Sequence, residues 1–191
     1  MPWVIAADNS PEGVLHHCAF HEIPAYHVPC RHWPPGLAGA LPFLFDCLRI
    51  RKAYRRGHRQ GGADLVHANT VRAGLAAALV LPRAVPLVVH VRDADEPVFA
   101  RRLLAKKAAA IVAVSEVNAK RWRDAGAPVV EVVHNAFDLE ALDEVTPTAE
   151  LSNFTGGFTL IMVADLVRWK RHGLFLDAFA RILNDVPEAR A

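Results

Sequence analysis

The chain has 191 residues, 52% of them hydrophobic, and a formal net charge of +2. That length and apolar content suit one ordinary domain, or one domain and part of another, and argue against a disordered chain. The small net charge argues against nucleic-acid binding through overall charge, so a basic function would need local clusters of cations.

The first predicted elements are short. Residues Trp3 to Ala7 form an apolar run that ends in a polar turn, which is typical of a strand followed by a capped helix, here Glu12 to Phe20. A second strand is predicted at Ala25 to Val28, which lies between two prolines, and Arg31 to Gly39 is predicted to be a loop.

Histidines and cysteines are frequent in this N-terminal region and raise the question of a metal site. His17 and His21 are four residues apart, and Cys30 follows, which is a spacing that zinc ligands can have. However, the region has no paired Cys-x-x-Cys, and the helix that carries the histidines is short. We therefore predict no metal here.

A long amphipathic helix is predicted from Leu41 to about His58, because apolar residues keep one helical face. Its cationic residues are Arg49, Arg51, Lys52, Arg55, Arg56 and Arg59. A cationic face of this kind is most often only solvated, yet it could also contact anionic lipid. The sequence leaves both interpretations open.

After Gly61 and Gly62, apolar runs alternate with segments of helical length. The runs are Leu65 to His67, Pro86 to Val91, Ala109 to Val114 and Val129 to Val133, and the helical segments lie near Val71 to Leu81, Phe99 to Ala108 and Glu116 to Ala125. This alternation predicts an α/β fold with a doubly wound parallel sheet. Ser115 is predicted to cap its helix rather than to act as a nucleophile, because no Gly-x-Ser-x-Gly motif surrounds it.

The regular alternation ends in a polar, acidic segment between Leu139 and Gly157, which predicts an interdomain linker. We therefore divide the chain into an N-terminal domain at 1–140, a linker at 141–156 and the start of a second domain at 157–191. In the last part, Phe158 to Val163 reads as a buried parallel strand, and a helix begins near Leu174.

Between that strand and that helix lies a basic turn that contains Lys170. The carboxyl end of a strand in an α/β sheet is where ligands bind, and a helix N-terminus beside cations favours phosphate. The turn is therefore predicted to bind an anion, although a lysine in a loop can also be merely solvated.

Several stretches of the chain resemble the retaining glycosyltransferases of family 4. They are DLVHAN at 64–69, PLVVHVRD at 86–93, AAAIVAVSEVNAKRW at 108–122, VVEVVHNAFDLEAL at 129–142 and FTLIMVADLVRWKRHGLFLDAF at 158–179. The resemblance covers most of the chain and implies a GT-B type fold. It implies a doubly wound, Rossmann-like acceptor-side domain followed by the first β-loop-α of a donor-binding domain.

The resemblance places Lys170 where the family has the lysine that contacts the donor diphosphate. Its charge would stabilise the departing nucleoside diphosphate, which makes it a catalytic candidate. The position of the family's arginine falls on Asp165, whose carboxylate cannot stabilise a diphosphate unless its own charge is offset. Arg168 or Arg171 could substitute as diphosphate ligands.

The resemblance also suggests cleft residues at the ends of the N-terminal strands. His90 could contact the transferred sugar as a second catalytic candidate, and Arg92 and Asp93 the acceptor. The alternative is a structural histidine beside a surface ion pair. The remaining acceptor and cleft candidates are His67, Asn69 and Asn135.

Two family features are not found in this sequence. Trp3 to Ala7 matches the family's second strand better than its first, and no Glu-x7-Glu segment follows Lys170. We therefore expect the chain to be a fragment that is inactive alone.

The predicted function is transfer of a sugar from a nucleotide-sugar donor to a hydroxyl acceptor, in the synthesis of a glycan, glycolipid or polysaccharide. The alternative is a noncatalytic sugar- or nucleotide-binding module or a degenerate relative, because Asp165 departs from the family pattern. The resemblance implies that neither a metal nor a cofactor is needed. It also implies that the acceptor is a glycan or a lipid-linked molecule.

Cysteine usage and hydropathy predict a cytoplasmic location, with peripheral contact at the inner face of the membrane left open. The three cysteines have no regular spacing, and no run approaches the roughly 18 apolar residues that span a bilayer. The N-terminus also lacks the pattern of a secretory signal.

Overall fold

The computed structural model describes residues 2–7, 10, 13–29, 39–92, 96–146 and 158–190. Their fold is α/β with parallel strands, as the sequence predicts, but the strands form two separate sheets. In the smaller sheet β1 (Val4–Ala6) pairs with β2 (Ala25–His27). In the larger sheet the order is β3 (Val66–Ala68), β4 (Leu87–Val91), β5 (Ala110–Ala113) and β6 (Val130–Val132).

Helices separate most of these strands, in the order that the alternating pattern predicts. They are α1 (Val14–Phe20), α2 (Ala40–Gly61), α3 (Val71–Val80), α4 (Val98–Lys107), α5 (Glu116–Arg123), α6 (Leu139–Asp143) and α7 (His172–Asp185). The hydroxyl of Thr70 caps α3 by accepting from the Ala73 N–H at 3.1 Å. Ser115 caps α5 in the same way, accepting from Asn118 at 3.3 Å, which confirms its predicted role.

The core lies on one face of the larger sheet. Strand register places Leu87, Val89 and Val91 of β4 on the same face as Ile111 of β5. Side chains from α3, α4 and α5 pack on this face, and Trp122 of α5 is completely buried there. A buried aromatic of this size stabilises a core by about 3–5 kcal/mol relative to alanine.

Helix α3 approaches the sheet closely at Gly74. A Cβ atom at this position would lie 3.0 Å from both methyl groups of Val89 and 3.3 Å from Leu104. Because interiors are close-packed, a side chain here would displace the helix or the strand. The glycine therefore sets the distance between α3 and β4.

The smaller sheet is attached to the rest of its unit through α2. The indole N–H of Trp3 donates to the Gly62 carbonyl at 2.9 Å, just beyond the end of α2. A Cβ atom at Gly57 would meet the Trp3 ring at 2.7 Å, so the indole lies directly against the helix. Trp3 also contacts Tyr26 and Tyr54, with ring centroids 6.0 and 5.8 Å away.

The chain divides into two compact units, 1–136 and 137–191. Most of the predicted linker, from 147 to 156, lies outside the described residues. The predicted domain boundaries at 140 and 156 therefore stay a prediction.

The predicted strand from Phe158 to Val163 is wrong. Here the described chain makes one parallel bridge, between Thr159 and Arg190, and Ile161 and Val163 are 69% and 92% exposed. An apolar run forms a strand only when a neighbouring strand pairs with it, and the described part of this unit offers no such strand. The helix that follows begins at His172, two residues before the predicted start.

No helix in the described part of the chain is both long enough and apolar enough to cross a membrane.

Candidate functional site

In the first unit, two of the predicted cleft residues are brought together. His67 of β3 and His90 of β4 stack with ring centroids 5.7 Å apart and an interplanar angle of 20°. The strands are parallel neighbours, and both histidines lie on the face of the sheet opposite the core. His67 is exposed and His90 is half-buried, so the pair borders the surface.

The environment of His90 favours its neutral form. Burial lowers the pKa of His90 below its usual value, and the nearby His67 and Arg92 lower it further. Its Nε2 atom is buried and has no hydrogen-bond partner among the described residues. A neutral imidazole with an unused nitrogen can donate to or accept from a hydroxyl group.

The other predicted residues of this unit follow the carboxyl ends of the strands. Asn69 comes after β3, Arg92 after β4 and Asn135 after β6, and all three are exposed. The carboxyl ends of parallel strands lie at one edge of a sheet, which is the edge where α/β proteins bind ligands. Asp93 lies outside the described residues.

Next to Asn135, His134 is held to the sheet. Its Nδ1 atom lies 3.1 Å from the Val114 carbonyl oxygen, at the end of β5. This contact fixes the segment that carries Asn135 beside the neighbouring strand.

A buried carboxylate that the sequence did not predict lies beside this edge. Glu96 accepts a hydrogen bond from Arg101 at 2.8 Å, and its second oxygen lies 3.8 Å from Arg121. The Glu96 side chain is only 2% exposed, so this cluster ties the segment that leaves β4 to helices α4 and α5. A five-residue spacing matches no helical pair, so the sequence offered no signal for it.

In the second unit, the basic turn precedes α7. Arg168 to Lys170 form one turn of 3₁₀ helix, and Arg171 then adopts a left-handed conformation with φ 60° and ψ 38°. Arg171 is the N-cap of α7, and no side-chain hydrogen bond of the described residues caps this helix. The first N–H groups of α7 are therefore available to an anion, and the helix dipole favours one.

An open depression of about 490 Å³ lies at this helix start. It is lined by Leu166, Val167, Arg168, Arg171, His172, Gly173, Leu174 and Asp177. Two guanidinium groups beside a free helix N-terminus suit a phosphate, whereas Asp177 contributes the opposing charge.

The two other residues singled out in this turn do not line the depression. Lys170 is exposed and lies outside its lining, which thus contains Arg168 and Arg171 but not the lysine. Asp165 is also exposed, and its carbonyl oxygen accepts from the Val167 N–H at 2.7 Å.

Among the described residues, no group of three or more histidine, cysteine, aspartate or glutamate side chains is placed to hold a metal ion. Cys30 of the N-terminal cluster lies outside the described residues. Cys18 and Cys47 are buried.

Comparison with known proteins gives three findings. The crystal structure of Acinetobacter baumannii MurG is similar at a TM-score of 0.42 and 14% sequence identity, over 81% of this chain and 41% of that one. The chain thus spans less than half the length of that structure. No curated protein matches the sequence. The family model of Glycosyltransferase Family 4 matches residues 4–141, which is more than half of the chain. The chain therefore belongs to Glycosyltransferase Family 4.

Proposed function

We propose that this chain serves a retaining glycosyltransferase that moves a sugar from a nucleotide-sugar donor to a hydroxyl acceptor. Family membership supports sugar transfer as the general chemistry. In that reaction the bond between the sugar and the diphosphate breaks, the acceptor oxygen bonds to the sugar carbon, and the proton of the acceptor hydroxyl leaves with the nucleoside diphosphate. This proposal includes retention of configuration at the sugar carbon and the chemical classes of the donor and the acceptor.

The observation that carries the proposal is the basic depression at the start of α7. Arg168 and Arg171 line it, and the uncapped helix N-terminus adds N–H donors. Negative charge grows on the diphosphate as its bond to the sugar breaks, and fixed cations stabilise that charge. Lys170 adds a third cation from the same turn, although it lies outside the lining.

In the first unit, we assign sugar and acceptor contacts to the strand-end residues. Neutral His90 offers an unpartnered ring nitrogen to a hydroxyl group, and His67 stacks on it. Asn69, Arg92 and Asn135 are exposed at the same edge of the sheet and can bind the hydroxyl groups of a glycan acceptor. Asp93 stays a candidate from sequence alone. We propose that neither metal nor cofactor takes part.

The acceptor in this proposal is a glycan or a lipid-linked molecule, and the product a glycan, glycolipid or polysaccharide. The cationic helix α2 supports a location at the cytoplasmic face of a membrane, because cations attract anionic lipid.

The test is an NMR titration in which nucleoside diphosphates are added to the full chain and the backbone N–H signals are followed. We expect weak binding that shifts the signals of residues 168–174. Arg168→Gln and Arg171→Gln should each weaken it roughly five-fold, the equivalent of about 1 kcal/mol for an exposed charged contact. Lys170→Ala measures the contribution of the lysine.

A matched control comes from Arg181, an exposed arginine farther along α7. Arg181→Gln removes the same charge from the same helix but leaves the depression intact. If this variant weakens binding as much as Arg171→Gln does, the diphosphate does not bind at the helix start, and the proposal fails.

One observation favours a second candidate, a noncatalytic nucleotide- or sugar-binding module. Asp165, three residues before Arg168, is exposed and adds a negative charge to the segment that carries the basic turn. An assay of sugar transfer separates the two functions, because a noncatalytic module shows no turnover either as the parent chain or as its Asp165→Arg variant. The variant should raise activity if the carboxylate merely weakens donor binding.

A further inference from the structure

One exposed face of α2 carries apolar side chains along its first half and cations along its second half. The apolar residues are Leu41, Leu44, Phe45 and Leu48, which are between 52% and 66% exposed. The cations that continue the same spacing are Arg51, Lys52, Arg55 and Arg59, and all of them are exposed. At about 100° per residue, all of these side chains fall within an arc of about 120°.

The opposite side of α2 is the side that packs within the unit. Its buried residues are Asp46, Cys47, Ala53, Tyr54 and Gly57. They contact α3 and the smaller sheet, so the face with the leucines and cations is turned away from the core of this unit. Single exposed hydrophobic residues are normal on a protein surface, whereas four large apolar side chains on one helical face form a patch.

The charges on this helix are almost entirely positive at the surface. Asp46 is its one carboxylate, and the Asp46 side chain is only 2% exposed and lies 3.6 Å from Arg49. Arg49 also donates to the Pro29 carbonyl, and Arg56 lies over the Tyr26 ring at 5.8 Å. The structure therefore divides the six predicted membrane cations, with two held against the fold and four facing outward.

A groove next to this face offers space for a headgroup. Its volume is about 570 Å³, and it runs between α2 and the C-terminal end of α3. Arg51, Arg55 and Arg59 line one wall, and residues Leu79 to Pro82 line the other. No ion pair of the described residues neutralises these three arginines, so an anion is the complementary ligand.

We infer that this face of α2 is a docking surface for a bilayer that contains anionic phospholipids. Leu41, Leu44, Phe45 and Leu48 enter the boundary between headgroups and acyl chains, and the outward cations bind lipid phosphates. The inference rests on the membrane-contact part of the proposed function and not on sugar transfer. Membrane contact then needs the apolar half of α2 as well as its cationic half and is not purely electrostatic.

Sedimentation of the full chain with lipid vesicles, without any sugar nucleotide, tests this inference. One set of vesicles contains phosphatidylcholine alone, and the other contains phosphatidylcholine mixed with phosphatidylglycerol. We expect binding to the mixed vesicles only, and weaker binding as salt is added. The double variant Arg55→Gln/Arg59→Gln should bind roughly twenty-five-fold more weakly, because each cation near an anionic surface contributes about five-fold.

The apolar half is tested separately with Leu44→Gln/Phe45→Gln, which should lower the affinity roughly ten-fold or more because insertion is lost. The matched control is Arg102→Gln/Lys106→Gln, which removes two exposed cations from α4. Circular dichroism on heating checks that every variant is folded.

The inference is overturned if the chain binds neutral and anionic vesicles equally, or if the α4 control loses as much binding as the α2 variant. It is also overturned if Leu44→Gln/Phe45→Gln binds the mixed vesicles as tightly as the parent chain does. A purely electrostatic contact would then explain the binding, and the same face could equally serve an acidic protein. Failure of diphosphate binding at α7 would leave these outcomes unchanged, so the two proposals are judged separately.

Discussion

His67 and His90 stack on neighbouring strands, and the Nε2 atom of His90 is buried without a hydrogen-bond partner among the described residues. Two imidazoles this close cannot both become protonated without electrostatic cost. His90 therefore favours its neutral form and can exchange hydrogen bonds with a hydroxyl ligand.

The first prediction concerns the pH dependence of this pair. Because the pKa of folded His90 is below its usual value of 6.5, the unfolded chain binds its proton first as the pH falls. His90 thus contributes destabilisation that begins as the pH falls through about 6.5 and grows until the folded pKa is reached. Urea unfolding at several pH values should show a flatter profile for His90→Asn than for the parent chain.

NMR titration provides the direct measurement for this pair. The pKa of His90 should lie below that of a free histidine, and His67→Ala should raise it, because the electrostatic effect of His67 on His90 is removed. A folded pKa at or above the usual value would contradict the described environment.

The second prediction concerns the buried carboxylate that ties down the segment after β4. Glu96→Gln should lower the free energy of unfolding by about 2 kcal/mol, since the partner of Arg101 loses its negative charge while the arginine can still reach water. The control is Glu116→Gln, which breaks a surface pair with Arg123 and should cost about 0.5 kcal/mol. Urea denaturation measures both, and equal losses would show that burial of Glu96 does not matter.

The third prediction compares two glycines that lie within helices. Gly74→Ala should destabilise the first unit by about 1–3 kcal/mol, because its new methyl group would press on Val89. Gly173→Ala should be neutral or stabilise α7 by about 0.5 kcal/mol, because nothing lies within 4 Å of its new atom. Thermal unfolding of both variants distinguishes steric contact from helix propensity.

The fourth prediction separates backbone strain from ligand binding at the basic turn. Arg171 adopts a left-handed backbone, which costs a residue other than glycine about 1 kcal/mol. Arg171→Gly should therefore stabilise the helix start while it weakens diphosphate binding. Arg171→Lys keeps the strain and the charge and serves as the control. Hydrogen exchange of α7 and NMR titration give the two readouts, and a glycine variant with slower exchange and unchanged binding would contradict the proposed role of Arg171.

The larger sheet and the helices between its strands could be predicted because their signals are local. Each strand is an apolar run, and Thr70 and Ser115 mark helix starts through hydrogen bonds that span only three residues. By contrast, Phe158 to Val163 has the composition of a buried strand but lacks a paired neighbour, and composition cannot supply one.

The candidate site was harder to predict than the fold. The basic turn itself is visible in the sequence, yet which of its cations line the depression depends on the left-handed turn at Arg171, which sequence spacing does not reveal. The Glu96 cluster joins residues from three segments and carries no periodic signal. The stacking of His67 on His90 likewise follows from strand register, which only the three-dimensional structure gives.

The placement of the tryptophans gives each part of the described fold its own optical reporter. Trp3 joins the smaller sheet to α2, Trp122 is enclosed in the core, and Trp169 in the basic turn is 75% exposed. The emission maximum of an indole moves to shorter wavelengths when water is excluded, so these three side chains should emit at different wavelengths. Variants that keep only one of these tryptophans could therefore report separately on unfolding of the smaller sheet, on unfolding of the core and on ligand binding at the basic turn.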